Sequence, residues 1–431
     1  MIIKIHCEND YLMDILFKNP DTDMGLYFKP LKKGQIAGNV VDKHNYEVVF
    51  QDEKYSYLPE HSNQIDYQSY CSPLALLHIC NELFSHILKK RDEYMQKPVI
   101  WLQRTQGEVD TKPCFIEVPS LYIDSKWFRN GRFLLAKYLD GINVVRQSNR
   151  IFLLTVSASS VFEAFNLLSL VLLFTHITND YGIFTYIDDA LAQKYARVLS
   201  NIQHVPYFVF YLFIQRAVKS EKQFNDLKPI FENYLAAEGL TVNLLWNGTK
   251  QQRVRFISNQ LEMDVPVLDI GCGELDYYKK IMKHGFKAMY YAMDKDEHIE
   301  SISRGIARRY EVNNLLYFSS LDEFDSQEKL NVLLTEVIEH NSMDEAKALV
   351  RKALTYNFKR LFITTPNNEF NRFYMMESEM RHNDHVFELN QSEFRTMIEE
   401  CTAEENYYVE YFYLGDNING IQPTQGCVIH C

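Results

Sequence analysis

A chain of 431 residues that is 46% hydrophobic and 14% aromatic can bury two or three domain cores, which excludes a largely disordered protein. The formal charge is −12, and residues 251–431 carry most of it, with 19 Lys and Arg against 30 Asp and Glu. That balance excludes a long basic groove for nucleic acid, because phosphate neutralisation drives such binding. Any nucleic-acid role must use a small local site.

The N-terminus, MIIKIHCENDYLMDIL, has no basic n-region and no small-residue cleavage site, so no signal peptide is expected. Residues 1–150 mix short apolar runs with turn signals at KNPDTD, LKKGQ and FRNGR. His78 and His86 lie in an apolar, helix-like stretch and are read as packed side chains. KKRDEYMQK, Lys89 to Lys97, reads as a solvated helix face. IFLLTVSA is a strand, and residues 160–240 are mostly helical. The apolar run Val161–Ile177 is interrupted by Glu163 and Asn166 and is short for a bilayer, so it reads as a buried helix and no membrane is expected. Ser160 and Glu163 have the spacing of a capping box at its start. These features define an N-terminal α+β region, residues 1–240, with a division into two subdomains expected near 150.

Eight cysteines are scattered without a paired CxxC set, which fits reduced thiols in a cytoplasm. The closing CVIHC reads as a frayed or packed tail rather than a zinc site.

From residue 241 the pattern changes to alternation. A helix at NGTKQQRVRFISNQLEM precedes the strands VPVLDIG, KAMYYAMD, LLYFSS, KLNVLLTE and KRLFITTP, with helices LDYYKKIMKHG, EHIESISRGIARRY and MDEAKALVRKAL between them. Strands alternating with helices predict an α/β domain, residues 241–431, with a mostly parallel, Rossmann-like sheet. Ligands of such sheets bind beyond the carboxyl ends of the strands.

VLDIGCGE puts Asp269 at the end of the first strand and Gly271 and Gly273 in the following turn, where a backbone without Cβ atoms can approach a ligand closely. Leu275 stands where many such loops have a third glycine. Asp294, at the end of the second strand, is placed to accept hydrogen bonds from ribose hydroxyls, with Asp296 as a rival. Ser319, Ser320 and Leu321 end the third strand, where an adenine would be contacted. The order of these features points to S-adenosylmethionine (SAM).

TEVIEHNS follows the fourth strand. If a helix starts there, Glu336, Glu339 and His340 share one face at i, i+3 and i+4. Two carboxylates and an imidazole suit Mg²⁺ or Mn²⁺, with Zn²⁺ also open. The same segment could also line a substrate pocket without metal. RHNDHVFELNQSEFR offers His382, Asp384 and His385 on a loop that could fold over the same place and complete an open metal site.

DIGCGE, EVIEH, TPNNEFN and RHNDHVFEL together resemble the terminal RNA ribose 2′-O-methyltransferases over roughly residues 250–400, with Leu389 in place of the usual Trp. The resemblance implies a metal-dependent transfer of methyl from SAM to the 2′-hydroxyl of an RNA 3′ end. It places the metal ligands on Glu336, Glu339, His340 and His385, and the catalytic roles on Glu336, His340 and His385. A divalent ion holding both hydroxyls of the terminal ribose would activate the 2′-hydroxyl, and a histidine there could take its proton. Arg381 is expected to add local positive charge. A long region ahead of the core resembles the bacterial arrangement, which implies docking to a polynucleotide kinase-phosphatase and an RNA ligase. Two other readings remain open: a metal-free methyltransferase of small molecules, and a subunit whose main task is assembly and ligase activation.

Overall fold

The computed structural model describes every residue except 19–25, 32–33, 53–70, 125–127, 130–131, 179–188 and 375–379. The KNPDTD turn signal lies almost wholly outside the described residues, as do Lys32 and Lys33 of LKKGQ and the centre of FRNGR. The chain divides into two compact units, Met1–Glu238 and Gly239–Cys431.

The first unit is built on a seven-stranded sheet from β1 (Ile2–Cys7), β2 (Leu26–Leu31), β3 (Gly34–Asp42), β4 (Asn45–Asp52), β5 (Cys114–Tyr122), β6 (Ile142–Ser148) and β7 (Ile151–Ala158). Its order is β6-β7-β5-β1-β4-β3-β2, with every pairing antiparallel. Ser148 and Ile151 face each other across the β6–β7 hairpin. Residue 150, near which a possible division was expected, lies in the tight turn between these two paired strands.

Alternation in β1 turns Ile3, Ile5 and Cys7 inward and leaves Lys4 outside. The sheet packs, through β5 and β7, on Val161–Thr178, an 18-residue helix apolar enough to cross a membrane but 94% buried within the protein. A helix apolar all round belongs in a core, where other helices and a sheet cover it. Ser160 Oγ accepts the Glu163 amide at 3.2 Å, as the capping spacing predicts. KKRDEYMQK is only partly solvated. It forms a short helix, Arg91–Met95, whose Tyr94 is fully buried and donates to Asp110 at 2.8 Å. His86 packs, stacked on the Phe17 ring at 4.1 Å.

The second unit runs α1 (Thr249–Ser258), β8 (Val267–Ile270), α2 (Asp276–Met282), β9 (Tyr290–Met293), α3 (Glu297–Tyr310), β10 (Leu315–Phe318), β11 (Leu330–Thr335), α4 (Met343–Leu354), β12 (Phe358–Pro366), α5 (Gln391–Thr402), β13 (Tyr408–Leu414) and β14 (Thr424–His430). The sheet order is β10-β9-β8-β11-β12-β14-β13. The first five strands are parallel, and β14 runs antiparallel between β12 and β13. The CVIHC tail is thus the packed alternative, a strand inside the sheet whose Cys427 and Ile429 are fully buried.

Successive strand residues serve opposite faces. Leu268, Ile270, Val332, Leu334, Leu361 and Ile363 pack with α4 and α5. Val267, Tyr290, Leu333 and Phe362 pack on the other side with residues of α1, α2 and α3. Burial on both faces explains why these strands read as apolar runs. The order reverses between β8 and β11, so the crevice beyond their ends is where the fold opens for a ligand.

Candidate functional site

The turn after β8 is pinned by the amides of Gly271 and Cys272, which donate to the Met293 carbonyl at 2.8 and 3.0 Å. Gly271 has φ +72°, and a Cβ there would lie 2.4 Å from Val337 Cγ2. Gly273, at φ +48°, has nothing within 4 Å of such an atom, so its backbone borders open space. Its N–H donates to Asp294 Oδ2 at 2.9 Å, and Asp294 Oδ1 accepts from the Asp296 amide at 3.0 Å. Asp296 is occupied in capping α3 through the His298 amide. Of the two acids expected at this strand end, Asp294 is the one that touches the glycine turn.

Asp269 is fully buried. Tyr290 Oη donates to its Oδ2 at 2.5 Å, while Oδ1 has no hydrogen-bond partner. Burial, opposed by that bond, pushes its pKa up to about 7. Ser320 Oγ accepts the Asp322 amide at 3.2 Å and caps the short turn Leu321–Glu323, while the Leu321 side chain joins the core.

The segment after β11 is not the helix start expected from the sequence. Glu336 has left-handed backbone, φ 55°, and Ile338–His340 form a single 3₁₀ turn. The α-helix begins only at Met343, where Ser342 and Glu345 make a reciprocal capping box. That cap competes successfully for the helix start, so the i, i+3, i+4 argument does not place these side chains.

Geometry nevertheless brings donors together. One ligand atom each of Glu339, His340 and His385 lies within 4.8 Å of the others. Glu339 is fully buried, and Thr365 Oγ1 donates to its Oε2 at 3.1 Å. Its Oε1 has no partner, and burial followed by the nearby Glu336 charge pushes its pKa up. Glu336 is turned elsewhere: Arg253 Nη1 lies 3.0 Å from its Oε2, and Thr364 Oγ1 donates to its Oε1 at 3.1 Å.

The RHNDH loop does fold over this turn, with the Val386 N–H donating to the Glu339 carbonyl at 2.8 Å. His385 is buried, and its Nδ1 lies 2.5 Å from Glu388 Oε1. Glu388 also accepts from the Arg381 amide at 2.6 Å and from Asn371 Nδ2 at 2.5 Å. This carboxylate fixes the imidazole with Nδ1 protonated and leaves the Nε2 lone pair as the free donor. Asp384 does the same for His340, with its carbonyl 3.3 Å and its carboxylate 3.4 Å from Nδ1. The sequence reading missed Glu388. Its signal was the three-residue spacing from His385, which lets a carboxylate reach back to the ring.

His382 lies outside the donor group; its ring centroid is 5.0 Å from that of His385. Arg381 is not a free positive charge. Its guanidinium donates to the carbonyls of Pro423 and Asn367 and to Asn371 Oδ1, and it stacks on Tyr374. It clamps the loop to the end of β12 and the start of β14.

A buried carboxylate oxygen without a partner, between two imidazoles whose outer nitrogens are held by acids, fits a divalent cation better than any donor within the chain. The open backbone at Gly273 and the held acid Asp294 fit SAM. Fold and site together define a methyltransferase-type α/β domain with a candidate metal centre at its strand ends.

The Hen1 N-terminal domain family matches residues 2–236, over half of the sequence, so the chain belongs to the Hen1 family. A solved structure of the Pnkp1/Rnl/Hen1 RNA repair complex contains a chain 47% identical to this one, matching 100% of both chains with a TM-score of 0.89. A second structure of the Pnkp1/Rnl/Hen1 complex matches with the same identity and coverage and a TM-score of 0.85. A small RNA 2′-O-methyltransferase of Caenorhabditis elegans is 29% identical over 212 residues, 41% of this chain and 48% of the relative. The chain spans about half the length of that curated relative.

Proposed function

We propose that the chain moves a methyl group from SAM to the 2′-hydroxyl of the 3′-terminal ribose of RNA. In this reading it acts in an RNA repair complex whose kinase-phosphatase and ligase dock on residues 1–238. The family match over the N-terminal unit and the full-length likeness to a chain of the Pnkp1/Rnl/Hen1 complex support the partners. The observation that carries the chemistry is the unpartnered, buried Oε1 of Glu339 beside His340 and His385. A metal-free wall for small molecules would leave that oxygen desolvated without compensation.

The residues divide the work. Gly271, Gly273, Asp269 and Asp294 would hold the methyl donor, with Ser320 and Leu321 at the adenine end. Glu339, His340 and His385 would hold one Mg²⁺ or Mn²⁺, with Glu336 as a further ligand once it leaves Arg253. Bound there, the ion would supply Lewis acidity to a hydroxyl at neutral pH. Glu388 and Asp384 keep both imidazoles in the donor tautomer, and the pinned loop would help to position the ribose for transfer.

The test is methyl transfer from SAM to RNA ending in a 2′,3′-diol, a 2′-deoxy or a 3′-deoxy ribose, with Mn²⁺ or with excess chelator. Transfer is expected only to the diol and only with metal. Full transfer in chelator, or to the 2′-deoxy end, would overturn the reading.

A further inference from the structure

Arg253 lies on α1, ahead of the glycine turn in sequence, yet its guanidinium reaches Glu336 at the end of β11. The two side chains are only 12% and 23% exposed, so water does little to weaken their attraction. The pair is not a fully satisfied structural bridge. Arg253 Nε is buried without a hydrogen-bond partner. Glu336 holds its position on left-handed backbone, a conformation that L residues adopt at a cost.

Glu339 follows Glu336 by three residues on the same turn and is fully buried. One guanidinium thus faces a segment that carries two carboxylates, holding Glu336 at 3.0 Å. A divalent cation at the Glu339–His340–His385 donors would meet the same two carboxylates and the same positive charge.

We infer that Arg253 is an internal counter-ion that holds Glu336 aside and sets how tightly the donor cluster binds a divalent cation. It is a positioning residue, and the inference rests on the metal reading above. Cation binding then exchanges one partner of Glu336 for another, and the apparent affinity is reduced by the fraction of protein in which Arg253 keeps the carboxylate. Its charge also opposes the incoming ion directly.

The experiment uses the full chain without RNA or SAM. Free Mn²⁺ is counted by electron paramagnetic resonance during titration of the wild type, Arg253→Gln and Arg253→Lys, and melting is followed with and without saturating Mn²⁺. Arg253→Gln is expected to melt lower without the ion, to bind Mn²⁺ roughly tenfold tighter or more, and to regain more melting temperature from Mn²⁺ than the wild type. Arg253→Lys keeps the charge and is expected to stay near the wild-type affinity. Should Arg253→Gln not fold, Arg253→Met retains the apolar stem and carries the same expectation.

Equal or weaker Mn²⁺ binding by the neutral variant, with melting lowered alike in both conditions, would show a purely structural bridge and overturn the inference while leaving the metal site standing. A wild type that binds no Mn²⁺ would overturn both.

Discussion

Glu388 shows how much of the site depends on a residue outside the donor set. Its two oxygens serve His385, the Arg381 amide and Asn371 from a nearly water-free position. Replacing it with Ala frees the His385 ring to rotate and to change tautomer. The expected result for Glu388→Ala is Mn²⁺ affinity weakened about 10–100-fold, the range for a removed outer-shell carboxylate, measured by the same titration of free Mn²⁺. An unchanged affinity would mean that burial alone orients the ring. Family resemblance singles out His385; Glu388 stands in the same RHNDHVFEL motif with no role that the sequence marks. Reach between side chains three apart in a loop is visible only once the loop has a shape.

Between elements, the decisive contact joins two turns. Val337, just after Glu336, packs where a Cβ on Gly271 would need to be. The glycine turn and the donor turn can approach because position 271 has no side chain and adopts positive φ. Gly271→Ala is expected to destabilise the chain by roughly 2–4 kcal/mol through strain and overpacking, whereas Gly273→Ala, with open space around it, should cost less in folding. Chemical denaturation of both variants checks the difference, and equal losses would contradict it.

Alternating strands and helices were legible because parallel strands buried on both faces leave long apolar runs. The donor turn was misread because spacing alone cannot tell a helix from a 3₁₀ turn when a strong cap, Ser342 with Glu345, stands a few residues on. The last two strands escaped for a different reason. An antiparallel strand inserted beside β12 pairs with residues some 60 positions away, and no local period marks that.

For the whole molecule, charge decides what kind of RNA binding is possible. Residues 251–431 carry far more acid than base, and Arg381 is committed to the protein's own carbonyls. RNA held mainly through its terminal ribose should release few counterions. Filter binding to a single-stranded diol end between 50 and 200 mM salt is expected to give a log–log slope shallower than about −2, equivalent to fewer than three phosphate contacts. A steeper slope would require a basic surface elsewhere on the chain. Residues 1–250 are near charge balance, with 26 Lys and Arg against 27 Asp and Glu.

The hydrogen bond from the Val386 amide to the Glu339 carbonyl joins main chain to main chain. No side chain takes part in it, and the Arg381 clamp lies outside the donor set, so exchanging Glu339 need not undock the loop; His340 is the donor that also touches it, through Asp384. Much of the docking can therefore outlast a change of donors over evolutionary time. A lineage could retune which ion it prefers, or lose the chemistry, while the main-chain contact keeps the loop in place.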